Sequence, residues 1–257
     1  MAQKERLTLI QEKLQKENRV TVSRLSKEYG VTEETIRRDL EKLEKDGILT
    51  RVHGGAVLNS ERAAENIHYL IRAQHNSSEK KIIGEIAASI LPGQVTICAD
   101  ASSTVMEAVQ LLKNRPETTV LTNSVQIIRE LSQFPVTIVS TGGIINKTTF
   151  SMQGNFVRKV LSEYFVDIVL ISCKALSLNG GIFDSNAEEG ELKHQMVLQG
   201  QRVILLADHS KFDRKAFVKV MELDELDTLI TDREPSEDWK RLCAEKGIKL
   251  MYPGSEQ

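Results

Sequence analysis

The chain has little cysteine, no long apolar run and almost no net charge, and each shortage excludes something. Its three cysteines, Cys98, Cys173 and Cys243, lie far apart in 257 residues. None forms a Cys-x-x-Cys pair and no zinc-ligand spacing appears, so neither a disulfide framework nor a metal module is expected. Each is expected to fill a core gap as a small apolar side chain, in a reducing, cytoplasmic setting. The N-terminus, Met1-Ala2-Gln3-Lys4-Glu5-Arg6, lacks the apolar core of a secretory signal. No apolar run approaches the length that spans a bilayer, so no membrane partner is expected. A formal charge of −2 argues against a chain that binds nucleic acid over its whole surface. There is no internal repeat and no low-complexity segment.

What is present is ordinary globular composition, 40% hydrophobic and 27% charged, at a length that suits one large domain or two ordinary ones. The charge is uneven. The first 57 residues carry a slight basic excess and the remainder is acidic.

Residues 31–40, Val-Thr-Glu-Glu-Thr-Ile-Arg-Arg-Asp-Leu, are the most informative stretch. Thr32 is a good N-cap, with Val31 and Ile36 placed as a hydrophobic staple. Ile36, Leu40 and Leu43 then mark one buried helix face, and Arg37 and Arg38 lie off it. A shorter helix precedes, capped by Thr21, with Val22, Leu25 and Tyr29 on one face and Gly30 at its end. Leu7, Ile10 and Leu14 define a helix before that. Two short helices joined by a tight turn, the second with exposed arginines, have the form of a helix-turn-helix. The alternative is a solvated helix laced by Glu33–Arg37 and Glu34–Arg38 pairs. Against it stands the sequence that follows: Gly47, a strand at 48–52, and His53-Gly54-Gly55-Ala56-Val57. That is a turn and return strand, a wing, whose Arg51 and His53 would reach phosphates or the minor groove.

At this point the chain resembles the DeoR family of bacterial transcription regulators. The match lies in Arg6, Ile10 and Leu14, in Thr35-Ile36-Arg37-Arg38-Asp39-Leu40, and in Arg51-Val52-His53-Gly54-Gly55-Ala56. Arg37 is the best candidate for a bidentate guanine contact, with Thr35 and Arg38 beside it. Thr21, Ser23, Thr32, Arg51 and His53 complete the candidate DNA-binding set.

Residues 1–58 are read as the winged helix-turn-helix domain and 59–78 as a polar linker with some helix. Residues 79–257 are read as an α/β domain that binds an effector and oligomerises. Ser78 is expected to cap a helix with Ile82, Ile83, Ile86, Ile90 and Leu91 on its apolar face. Strands are then expected at 95–99, 120–121, 136–139, 168–171, 203–206, 229–230 and 248–251. Helices fall at 103–112 and around Ile127, Ile128 and Leu131. Strands alternating with helices imply a mostly parallel sheet covered on both faces.

Such sheets bind ligands at the carboxyl ends of their strands. Those ends carry polar clusters here: Asp100, Ser102, Ser103 and Thr104; Thr122, Asn123 and Ser124; Gly142 and Gly143; Lys174; Asp208 and Lys211. Each alone has a structural explanation, Ser103 as a helix cap or Gly142-Gly143 as a turn. Together they are a candidate effector site, with hydroxyls and free N–H groups at a helix start suited to an anion. These positions also resemble the DeoR-type sensor domain, whose fold is shared with ribose-5-phosphate isomerase and glucosamine-phosphate deaminase. The resemblance implies a phosphate cradle at Asp100–Thr104. It adds Glu189, Glu191 and Lys193 to the pattern, with Asp208, Ser210 and Lys211. Many family members have a small residue and an acid where this chain has Ser172-Cys173-Lys174. Lys174 reverses that charge and is expected to contact an anionic group.

The expected function is a DNA-binding regulator of a sugar operon, a repressor modulated by a phosphorylated sugar. It would act as a homodimer or homotetramer on a double-stranded operator, without a cofactor and not as an enzyme. The competing readings are a sugar-phosphate isomerase or deaminase fused to a DNA-binding domain, and an α/β domain that only dimerises. Asp100, Glu189, Glu191 and Asp208 could move protons in the first of these; Lys174 in place of an acid argues against it.

Overall fold

Apolar residues recurring every third or fourth position at the start of the chain give way to alternating strands and helices, and the fold divides accordingly. In the computed structural model, residues 3–17, 19–45, 48–52, 54–58 and 69–255 are described. They form two compact units, 1–68 and 69–257.

The first unit runs α1 (Gln3–Glu17), β1 (Arg19–Thr21), α2 (Val22–Tyr29), α3 (Glu33–Lys45), β2 (Leu49–Val52) and β3 (Gly55–Leu58). Ile10, Leu14, Leu25, Ile36, Leu40, Leu43 and Leu49 are all essentially fully buried. Each contributes roughly 1.5–3 kcal/mol of burial, so the helical spacing read from sequence is the core of the unit. Gly30 ends α2 in the left-handed region at φ 63°. Thr32 caps α3: its Oγ1 accepts from Thr35 N at 3.2 Å. The wing is a three-stranded antiparallel sheet ordered β1-β3-β2. Its outer strand β1 was not foreseen. At Gly55 a Cβ would lie 2.1 Å from Val20 O, so the β1–β3 approach requires glycine.

The second unit begins with α4 (Tyr69–Gln74) and α5 (Ser77–Ile90) and continues β4 (Val95–Ala99), α6 (Ser103–Val109), β5 (Thr118–Thr122), α7 (Val125–Leu131) and β6 (Thr137–Ser140). A hairpin, β7 (Ile144–Asn146) and β8 (Ser151–Gln153), leads to α8 (Asn155–Ser162) and β9 (Val166–Ser172). Then come β10 (Ala175–Ser177), β11 (Gly181–Asp184), α9 (Ala187–Val197), β12 (Gly200–Leu206), β13 (Val218–Met221), β14 (Thr228–Ile230), α10 (Glu237–Lys246) and β15 (Lys249–Met251). Seven strands form one sheet, ordered β15-β14-β12-β9-β4-β5-β6, and every pairing in it is parallel. Along β9, Ile168 and Leu170 join the apolar layer on one face, and Val169 and Ile171 the layer on the other. That alternation is what a sheet buried on both sides requires.

Two caps differ from expectation. Asn76, in the left-handed region, takes the N-cap position of α5, and Ser78 lies inside the helix. Ser102, not Ser103, caps α6, accepting from Val105 N.

From β4 the chain steps outward to β5 and β6, then returns to β9 on the opposite side and continues to β12, β14 and β15. The direction reverses between β4 and β9. A crevice opens at the carboxyl ends of such a strand pair, where ligands bind in open α/β sheets.

Candidate functional site

In the first unit, Ser23, Thr32, Arg37, Arg38 and Arg51 are exposed, and Thr21 and Thr35 are half-buried. His53 lies outside the described residues. Arg37 pairs with Glu33 at 2.8 Å and Arg38 with Glu34 at 3.3 Å, four residues apart along α3. The solvated-face alternative therefore describes a real feature. It does not compete with base reading: an exposed i,i+4 pair is worth about 0.3–0.5 kcal/mol, a bidentate base contact about 1–3. Arg51 is held by Glu44, through both its backbone N–H and its Nε. Behind α3, buried Asp39 accepts from Arg6 Nε at 2.5 Å and from Arg6 Nη2 at 3.2 Å. This bidentate pair ties α3 to α1 from the side away from solvent.

At the β4–β9 crevice, Asp100 Oδ1 accepts from Ser102 N and Oγ, and Oδ2 accepts from Ser172 N at 3.2 Å. Lys193 reaches in from α9. Its Nζ lies 3.1 Å from Asp100 Oδ2 and 2.5 Å from Asp184 Oδ2, and donates to Ser172 O at 2.7 Å. Burial alone would lower the Lys193 pKa, but Asp184 and Asp100 raise it well above the ordinary lysine value. Asp100 and Lys193 thus cross-link the two strands at the switch point. Ser103 and Thr104 are buried in the first turn of α6.

The neighbouring strand end is organised around the β7–β8 hairpin. Thr122 Oγ1 donates to Ala99 O and accepts from Ser124 N, and Ser124 caps α7. Asn123 Nδ2 donates to Met152 O, while its buried Oδ1 has no hydrogen-bond partner. Glu189 Oε1 accepts from Ser151 Oγ at 2.5 Å and Gln153 Nε2 at 2.7 Å. Gly142 and Gly143 are both left-handed, and at Gly143 a Cβ would lie 2.5 Å from Val157 Cγ2. They turn the chain at the end of β6, the outermost strand, away from the β4–β9 crevice.

On the other side, Asp208 Oδ1 accepts from Ser210 N and from Asn76 Nδ2, each at 3.0 Å. Its Oδ2 is buried without a hydrogen bond, with Lys211 Nζ 3.9 Å away. Burial would raise the Asp208 pKa, but Lys211, Ser210 and Asn76 bring it below the ordinary value. Around this carboxylate the cations crowd one another. Lys174 is depressed to about 8 by burial, then by Lys211 and Arg72, with Arg214 adding to it. Lys80 is depressed to about 8 by burial and then by Lys211, with Arg72 contributing. Its Nζ donates to the carbonyls of Arg72 and His75. Arg72, Asn76, Lys80, Asp184 and Arg214 were not foreseen. Lys80 left a signal, standing one turn before buried Ile83 and two before Ala87 on the inner face of α5.

Comparison with known proteins decides the family. Residues 6–62 match the DeoR-like helix-turn-helix domain and residues 75–233 the DeoR C terminal sensor domain. The chain belongs to the DeoR family of helix-turn-helix transcription regulators. It is 36% identical over 259 residues to the HTH-type transcriptional repressor GlcR of Bacillus subtilis, covering 100% of this chain and 99% of that one. It is 30% identical over 244 residues to the L-fucose operon activator of Haemophilus influenzae, covering 95% and 97%. In fold it is similar to ribose 5 phosphate isomerase A from Neisseria gonorrhoeae, with 14% identity and a TM-score of 0.39 over 52% of each chain. Among the described residues no helix is long and apolar enough to cross a membrane.

Proposed function

We propose that this DeoR-family regulator is a cytoplasmic repressor of a sugar-metabolism operon. A phosphorylated sugar, bound at the strand ends of the second unit, releases it from double-stranded DNA. Residues 1–58 act as the reader, and the effector unit takes in α4. One helix-turn-helix reads a single half-site, so the chain acts as a homodimer or homotetramer.

The observation that carries the ligand chemistry is the pairing of opposite needs around Asp208, at the end of β12. Buried Asp208 Oδ2 accepts no hydrogen bond, and an unmet buried acceptor calls for a donor such as a sugar hydroxyl. Beside Asp208, Lys80 and Lys174 are depressed by burial and by Lys211 and Arg72, a concentration of positive charge that a phosphate relieves. The effector acts through its differential affinity for DNA-bound and free arrangements. The names of the relatives include both repressors and an activator, so the sign of the response is part of the proposal.

Of the four carboxylates that could move protons, Asp100 is committed to Lys193, Glu189 to Ser151 and Gln153, and Glu191 to Arg158, which leaves Asp208 alone with a buried, unbonded oxygen and no second carboxylate of the four to work with. No turnover is expected. The test is a panel of pentose and hexose phosphates, the free sugars and inorganic phosphate. It is read by thermal shift, by operator binding and by product assay. One phosphorylated sugar at a hundredfold excess over its Kd should add about 2.7 kcal/mol, roughly 5–10 °C in Tm. The same compound should release operator. Product accumulating in proportion to protein would replace this reading with the enzyme.

A further inference from the structure

The second unit ends on one side in a short edge that Pro135 precedes but no charge protects. Among the described residues β6 pairs with β5 alone, and its residues are exposed or half-buried on both faces. Gly142-Gly143 lead directly into β7, which pairs with β8 alone among the described residues. Ile144 is 77% exposed, Ile145 52% and Phe156, whose ring lies against Gly142, 62%. Successive residues of a strand point to opposite faces, so both faces of β7 present a bare isoleucine. Edge strands of monomers are blunted by charge, proline or bulges. Here, in a chain that is 27% charged, residues 131–157 contain one charged side chain, Lys147, and both strands are free of charge.

We propose that a second copy of this chain covers the β6–β7 edge about a two-fold axis, as the dimer interface of the regulator. The identity of the occupant follows from charge and symmetry. A two-fold contact brings each residue near its own copy, so the surface must not repel itself, and an uncharged one does not. The same lack of charge gives DNA or a charged partner nothing to recognise, and apolar, charge-depleted surfaces are what homodimer cores use. Two-fold symmetry also sets an edge strand antiparallel to its copy, a pairing open to both β6 and β7. The inference rests on the two-fold reading of DNA proposed above.

Sedimentation of the full-length chain at micromolar concentration tests it. Wild type should sediment as a dimer or tetramer. The Ile144→Lys/Ile145→Lys variant should fall to half the mass and lose at least tenfold in operator affinity, with wild-type circular dichroism. Phe156→Lys, on a different element, should do the same. Phe217→Lys is the control: Phe217 is 73% exposed but stands between Lys215 and Lys219, and this variant should keep the wild-type mass. Edge variants that keep the wild-type mass overturn the surface and leave the two-fold reading standing. A monomeric wild type that still binds a palindromic operator specifically overturns both.

Discussion

Lys193 shows how a residue named for a candidate site serves the fold first. Its ammonium is clasped by Asp184, Asp100 and the Ser172 carbonyl, all buried. Removing the cation strands two carboxylates, so Lys193→Met should cost about 3–5 kcal/mol in urea unfolding. Asp184 gives the matching pH dependence. Burial would raise its pKa, but Lys193 and the Ser185 N–H hold it below the ordinary value of 3.8. A depressed carboxylate contributes stability above its unfolded pKa and loses it as the pH falls through the folded value. The urea midpoint should therefore fall on acidification below about pH 4, and Asp184→Asn, though weaker at neutral pH, should lose less there. Lys174 obeys the opposite arithmetic for binding. Without effector its pKa is depressed to about 8, because burial and neighbouring cations disfavour its charge; a bound phosphate favours that charge and raises its pKa. Effector affinity should decline as the pH rises above 8, and Lys174→Ala should make that decline shallower, with Lys80 supplying the remainder. Titrations by calorimetry at several pH values read this directly.

At the scale of elements, α3 depends on contacts buried away from its exposed arginines. Asp39 is buried against Arg6 of α1 by two hydrogen bonds, and the unit is small enough to be marginal. Asp39→Ala leaves a buried guanidinium without its partner and should cost about 3–5 kcal/mol. The variant should lose operator binding while the second unit keeps its ligand-induced thermal shift; unimpaired operator binding would show that α3 holds its place without the pair. The sequence displayed α3 clearly because cap, staple and apolar spacing agree, with Thr32, Ile36, Leu40 and Leu43 in step. The parallel strands β4, β9 and β12 were legible as apolar runs. The hairpin β7–β8 and strands β10, β11 and β13 were not, being three or four residues long without clean alternation. α9 was hidden by its own function: Gly190 and Lys193 occupy its buried face beside Leu192 and Met196, so the apolar period is broken where the helix meets the site. Arg72 and Asn76 escaped for a related reason. They lie in a polar stretch that reads as connection, and only the fold brings them to Asp208 and Lys174.

For the whole molecule, the distribution of charge decides how DNA is held. The chain carries −2 overall, so attraction to phosphates must come from the local surface of the first unit rather than from a general field. Arg37 and Arg51 occupy different parts of that surface and should fail differently. Arg37 is half-exposed on α3 and held by Glu33, a weak pair that a base edge can displace. Arg37→Ala should cost about 1–3 kcal/mol on operator and little on random DNA, lowering their ratio. Arg51 lies on the wing strand β2 against Glu44, and we propose that it meets the phosphate backbone. Arg51→Ala should weaken operator and random DNA alike. It should also reduce the slope of log K against log salt by about 0.9 for each phosphate that is no longer neutralised, hence roughly 2 for a dimer. Fluorescence anisotropy with both DNAs from low to physiological salt separates the two effects. An operator-to-random ratio unchanged in Arg37→Ala places base reading elsewhere on α3, and an unchanged salt slope in Arg51→Ala removes the wing strand from the phosphate-binding surface.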